Sequence, residues 1–167
     1  MNSGKKTFIG SIIGSFRKYY DEIVDCITFL ELNNQIILSP KKSMIVDDRD
    51  GFVILDSDDK HYSDLDIQTI VFHRLFRSDY VYVWNPNGYI GKTTCYEIGR
   101  VTEHNIPIYY LEYPKDIPLY VTEGSVIDIT SFVDYVKKNQ VLPPYKGTLH
   151  QPTKTLIDDL NEGKYIY

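Results

Sequence analysis

The stretch Ser78–Arg100, SDYVYVWNPNGYIGKTTCYEIGR, decides the fold. Tyr80–Trp84 is a continuous apolar and aromatic run, the pattern of a strand in a parallel sheet covered on both faces. Asn85-Pro86-Asn87-Gly88 is a turn signal. Gly88 and Gly91 let the backbone take positive φ or come close to a ligand. A helix is predicted over Thr93–His104, with Thr93 or Thr94 as its cap and Glu97 in its first turn. There the free N–H groups and the positive end of the helix dipole favour an ionised carboxylate.

Upstream, Lys6–Ile13 reads as a buried strand. Ser15–Leu32 then carries Tyr20, Ile23, Val24, Ile27 and Leu30 on one helical face, and Asn33-Asn34 ends the helix. Gln35–Leu38 is a short strand that stops at Ser39-Pro40. Lys41–Gly51 is charged and without period, hence a loop, and Phe52–Leu55 is strand-like. A second helix begins at Ser63 with Asp66 as capping-box partner. Its apolar set (Leu65, Ile67, Ile70, Val71, Phe72, Leu75, Phe76) implies burial on most sides, and His73 among them reads as a satisfied core histidine. Downstream, Asn105-Ile106-Pro107 turns into a strand at Ile108–Leu111. A further strand is predicted at Ser125–Ile129, a helix over Ser131–Lys138 capped by Asp134, and a last short helix at Thr153–Asn161.

Strands alternating with helices indicate βαβ units. The predicted fold class is α/β: an open, mainly parallel sheet with helices on both faces, Rossmann-like or flavodoxin-like. One domain is expected over 1–167, with a core at about 5–138 and a C-terminal extension, 139–167, holding the short helix. Ligands of such sheets bind beyond the carboxyl ends of the strands. Two loops leave strand ends and enter helices, Gly14–Lys18 and Asn85–Thr94, and these are expected to carry the chemistry.

The 167 residues suffice for a real core, and 43% hydrophobic with 25% charged residues is ordinary for a globular protein. No apolar run approaches the ~20 residues that span a bilayer. The N-terminal apolar run is broken by glycine and serine and closed by Arg17-Lys18, so it reads as a strand and loop rather than a signal peptide. Two cysteines, Cys26 and Cys95, form no disulfide framework and point to a reducing, cytoplasmic setting. The net charge of −5 argues against broad nucleic-acid binding. Asp47–Asp50 and Asp56–Asp59 lack calcium-loop spacing. The histidines and cysteines lack zinc spacing, and no Walker or dinucleotide glycine motif is present. No metal and no cofactor are expected.

Spacing leaves two roles open for Glu97. Thr94-x-x-Glu97 fits a capping box, in which the glutamate bonds back to the backbone. An ionised carboxylate at the carboxyl edge of a sheet can equally attack an anomeric carbon.

Read together with IGSIIGSFRKYYDEI (Ile9–Ile23), the opening stretch resembles the nucleoside 2-deoxyribosyltransferase-like superfamily, which includes nucleoside deoxyribosyltransferases and nucleoside 5′-monophosphate N-glycosidases. The resemblance rests on Gly88-Tyr89-Ile90-Gly91, Thr93-Thr94 and Glu97-Ile98-Gly99-Arg100, and it extends over roughly Thr7–Leu111. It implies that Glu97 is the nucleophile that opens the N-glycosidic bond. It also implies that the first-strand loop, Gly14, Ser15, Phe16 and Arg17, binds the sugar or its 5′-phosphate, with Gly10-Ser11 as the other register. Asn87, Gly88, Tyr89, Gly91, Thr93 and Thr94 complete the expected site, with Trp84, Phe16 and Tyr89 as candidate base-stacking faces. The implied partner is a nucleoside or nucleotide, the assembly a homo-oligomer, with Tyr165-Ile166-Tyr167 available to complete a neighbour's site. One departure stands out. Many relatives place an aspartate in the second helix eight residues before the position of Asp79, and here that residue is Val71; neither Asp66 nor His73 replaces it cleanly. A non-catalytic nucleotide sensor on the same fold is the rival expectation.

Overall fold

The computed structural model describes residues 6–42, 45–49, 52–55, 61–147 and 154–164. In chain order its elements are β1 (Ile9–Gly14), α1 (Phe16–Leu32), β2 (Ile36–Ile37), β3 (Ile45–Arg49), β4 (Phe52–Leu55), α2 (Asp64–Leu75), β5 (Tyr80–Trp84), α3 (Lys92–Glu103), β6 (Ile108–Tyr110), α4 (Ile129–Asn139) and α5 (Lys154–Asn161). Among the described residues, four strands form one sheet in the order β2-β1-β5-β6, and every pairing in it is parallel. The predicted α/β open sheet is the observed fold.

Alternation along the central strands divides the core in two. Ile12, Tyr80, Tyr82 and Tyr109 pack with Ile23, Ile27 and Leu30 of α1 and with Phe132, Val133 and Val136 of α4. Ile13, Val81, Val83 and Tyr110 pack on the other face with Phe72 and Leu75 of α2 and Ile98 and Val101 of α3. The tyrosines of the sheet are therefore core, not ligand-lining. Tyr82 and Tyr109 reach out of it to carbonyls, Ile127 O at 2.8 Å and Pro143 O at 2.7 Å.

Several local expectations change. The region predicted as loop, Lys41–Gly51, contains β3, which pairs antiparallel with β4. The Asp50-Gly51 dipeptide between them is a hairpin signal in its own right. Ser125–Ile129 is not a strand. A short 3₁₀ turn covers Glu123–Ser125, Val126 makes a single bridge to Tyr110, and the helix has begun by Ile129. Asp128, not Asp134, caps that helix, accepting the Ser131 N–H at 2.9 Å. In α2 the Ser63–Asp66 capping box forms as predicted, but the helix is less buried than its composition implied: Leu65 is 71% exposed. His73 is exposed rather than a core residue. Tyr165–Tyr167 and most of the two acidic loops lie outside the described residues. Among the described residues no helix is long and apolar enough to cross a membrane.

Candidate active site

The chain runs from β1 to β2 on one side and returns to place β5 on the other side of β1. The strand order thus reverses at the β1–β5 pair, and a crevice opens at such a point beyond the strand ends. A cavity of about 590 Å³ lies there, within the range of small-molecule sites. Its walls come from the end of β1 and the start of α1, from the segment after β2, from one face of α2, and from the start of α3.

Of the two Gly-Ser pairs, Gly14-Ser15 is the one at the cavity. Gly14 closes β1 beside Gly14's partner Trp84, and a Cβ at Gly14 would sit 2.6 Å from the Trp84 carbonyl oxygen. Ser15 precedes α1 without capping it through its side chain, so the hydroxyl is not spent on the helix. Gly14, Ser15, Phe16 and Arg17 all line the cavity. Gly10 and Ser11 are inside the strand instead, and the buried Ser11 hydroxyl bonds that of Ser78 at 2.8 Å.

The turn after β5 divides. Tyr89, Gly91, Thr93, Thr94 and Glu97 line the cavity; Asn87 and Gly88 do not. Those two face away, onto the segment that follows β6. Asn87 N–H donates to Glu112 Oε1 at 3.1 Å. Asn85 pairs with the Glu112 backbone through both ends of its amide, at 2.7 and 3.1 Å. Gly88 has φ of 75° and a backbone so close to the Tyr113 carbonyl that a side chain would collide with it. The close approach that a glycine allows is here to the protein's own chain. Trp84 also leaves the candidate set, since its indole donates to Glu22 at 2.9 Å and it does not line the cavity.

Glu97 is not a cap. α3 begins at Lys92 with Gly91 in the capping position at φ of 78°, and no side chain caps it. Glu97 is therefore in the second turn, beyond reach of the free N–H groups, and Thr94 is a buried cavity residue rather than a capping partner. The glutamate is 7% exposed and lines the cavity. Its carboxylate has no hydrogen-bond or ion-pair partner among the described residues. Burial disfavours the charged form, and it raises the Glu97 carboxyl from 4.5 to about 8. The expectation of an ionised glutamate at neutral pH, based on a first-turn position, is overturned by this placement.

The sequence reading had not placed α2 at the site. Ile67, Val71 and Arg74 of α2 face the cavity together. Their spacing of four and three residues is the signal that could have found them, but an apolar helix hides which of its faces is the empty one. Val71, the residue that departs from the pattern of the superfamily the sequence resembles, is on the cavity wall. Ser39, Pro40 and Lys41 close the side beyond β2, with a cis peptide between Ser39 and Pro40. Across the opening, the Lys18 ammonium sits 3.5 Å from the Tyr89 ring centre.

Fold and site together define an α/β protein with a ligand cavity at the reversal point of a parallel sheet and one buried carboxylate in its wall. No family model, curated protein or solved structure matches the chain.

Proposed function

We propose that this protein cleaves the N-glycosidic bond of a nucleoside or nucleoside 5′-monophosphate, as a relative of the nucleoside 2-deoxyribosyltransferases and nucleotide N-glycosidases. The observation that carries the reading is Glu97: a carboxylate without a described partner, buried in the wall of a nucleotide-sized cavity, at the motif position of the family's nucleophile. In its ionised form Glu97 attacks C1′. The C1′–N bond breaks, its electron pair leaves with the base, and the base takes a proton from solvent. The glycosyl ester then passes to water, which restores the carboxylate, or to a second base. Hydrolysis is the favoured outcome, since a cavity wall that carries arginine suits a phosphate handle. A small-molecule substrate and a cytoplasmic homo-oligomer belong to the same reading.

A non-catalytic nucleotide sensor is favoured by one observation, Val71. Among the described lining residues Glu97 is the only acid, and none of them offers a second carboxylate to assist the leaving base. Incubation with nucleosides and their 5′-monophosphates separates the two. The enzyme releases free base, and Glu97→Gln lowers that release by several orders of magnitude while nucleotide binding persists. A wild-type protein that binds and releases no base is the sensor.

A further inference from the structure

Arg74 stands on the α2 wall of the cavity, beside Ile67 and Val71 on the same helical face. It is half-buried, and its guanidinium makes no hydrogen bond or ion pair among the described residues. A guanidinium on a wall shared with aliphatic residues and left without an acceptor among the described residues suits an incoming anion, and its fork matches two phosphate oxygens. Arg17, Lys41 and Lys92 add exposed cations around the same cavity. The chain as a whole carries −5, so this excess of positive charge is local.

Backbone donors of the turn before α3 are another anion site that such a fold can offer. Here two of them, at Ile90 and Gly91, are taken. The Asp116 carboxylate accepts the Ile90 N–H at 3.0 and 3.2 Å and the Gly91 N–H at 3.4 Å. A phosphate approaching those donors meets a like charge.

We propose that Arg74 is the residue that selects a phosphorylated ligand. It holds the phosphate of a nucleoside 5′-phosphate on the α2 wall, because Asp116 already fills the donors of the turn before α3. The proposal deepens the nucleotide reading above and rests on it for the class of ligand.

The test is equilibrium binding of purine and pyrimidine nucleosides and their matched 5′-monophosphates to wild type, Arg74→Gln, Arg74→Lys and Arg17→Gln. Wild type should prefer the monophosphates. Arg74→Gln should lower monophosphate affinity roughly 10- to 100-fold, the size of a charge-assisted bond, and leave nucleoside affinity unchanged. Arg74→Lys keeps the charge without the fork and should fall between; it also serves if the glutamine variant folds poorly. A preference retained in both Arg74 variants, a preference lost in Arg17→Gln alone, or a wild type that favours neither form overturns the proposal. Base release is read separately. A monophosphate preference that depends on Arg74, with no base released, keeps this assignment and removes the glycosidase reading. Base release with equal use of both forms does the reverse.

Discussion

Asp116 receives the backbone N–H of Ile90 on both of its carboxylate oxygens, at 3.0 and 3.2 Å. The segment after β6 thereby holds the turn that launches α3, and with it the position of Glu97 one and a half turns on. Charge-assisted bonds to backbone are worth up to ~1.5–3 kcal/mol, and solvent exposure of Asp116 reduces that. Asp116→Ala is expected to cost about 1 kcal/mol in denaturant unfolding and to lower base release. Asp116→Asn keeps one acceptor oxygen and should retain most of both. Unchanged stability in the alanine variant would show that the turn holds itself.

Burial of Glu97 gives stability a pH dependence of known sign. The folded value of about 8 lies above the ordinary 4.5, so across that interval the native state holds a proton that the unfolded chain has released. The contribution of Glu97 to stability therefore falls as pH rises from about 4.5 to about 8 and is level beyond either end, a change of a few kcal/mol. Glu97→Gln should abolish that slope and be the more stable protein at the alkaline end. For catalysis the same placement predicts that kcat/KM for base release climbs with pH towards a plateau above about 8, since the ionised glutamate attacks. A rate that declines through the neutral range would assign Glu97 the role of an acid.

Two buried tyrosines of the sheet should respond in opposite ways to loss of the hydroxyl. Tyr109 donates to the Pro143 carbonyl at 2.7 Å, in the interior. Tyr80 is fully buried, and its hydroxyl has no partner among the described residues. Tyr109→Phe is expected to cost about 1 kcal/mol. Tyr80→Phe is expected to be neutral or stabilising, because it removes a desolvated group that gains nothing in return. Thermal melts of the two single variants check the contrast, and an equal loss in both would refute it.

Gly10 and Gly99 differ in the space around them. A Cβ at Gly10 would overlap the Tyr80 ring, so Gly10→Ala should destabilise by about 1–3 kcal/mol. At Gly99 nothing lies within 4 Å, and the residue is exposed in the middle of α3. Gly99→Ala should gain up to about 1 kcal/mol from helix propensity alone. If it also leaves base release intact, the glycine of the Glu-Ile-Gly-Arg segment has no steric task within this chain.

The parts of the fold that were legible in the sequence are those where one physical signal dominates. Tyr80–Trp84 is apolar without interruption because it is covered on both faces, and Asn85–Gly91 is a turn because its residues favour little else. The hairpin of β3 and β4 was missed because its charged residues show no period, and its Asp-Gly signal is only a dipeptide. Glu97 was found by motif, yet its environment was misjudged: the cap is Gly91 rather than Thr93 or Thr94, two or three residues earlier, and this carries Glu97 out of the first turn. Asn87 and Gly88 read as ligand-binding because glycine-rich turns approach ligands and neighbouring backbone by the same means. Nothing local to Asn85 or Gly88 discloses that their neighbour would be Glu112 or Tyr113. Arg74 was missed for the complementary reason, being one cation on a helix whose empty side only the assembled sheet defines.

The outermost strands of the sheet have a bearing on how the protein behaves in a crowded solution. β2 is two residues long and β6 three, and β6 is extended on its open side by only the Val126 bridge. A foreign strand seeking to extend the sheet finds a ladder too short to register on, on either flank. The long apolar strands that invite such growth, β1 and β5, are neighbours in the middle. Arranged this way, the segments most able to seed a fibril are sheltered by the two least able to.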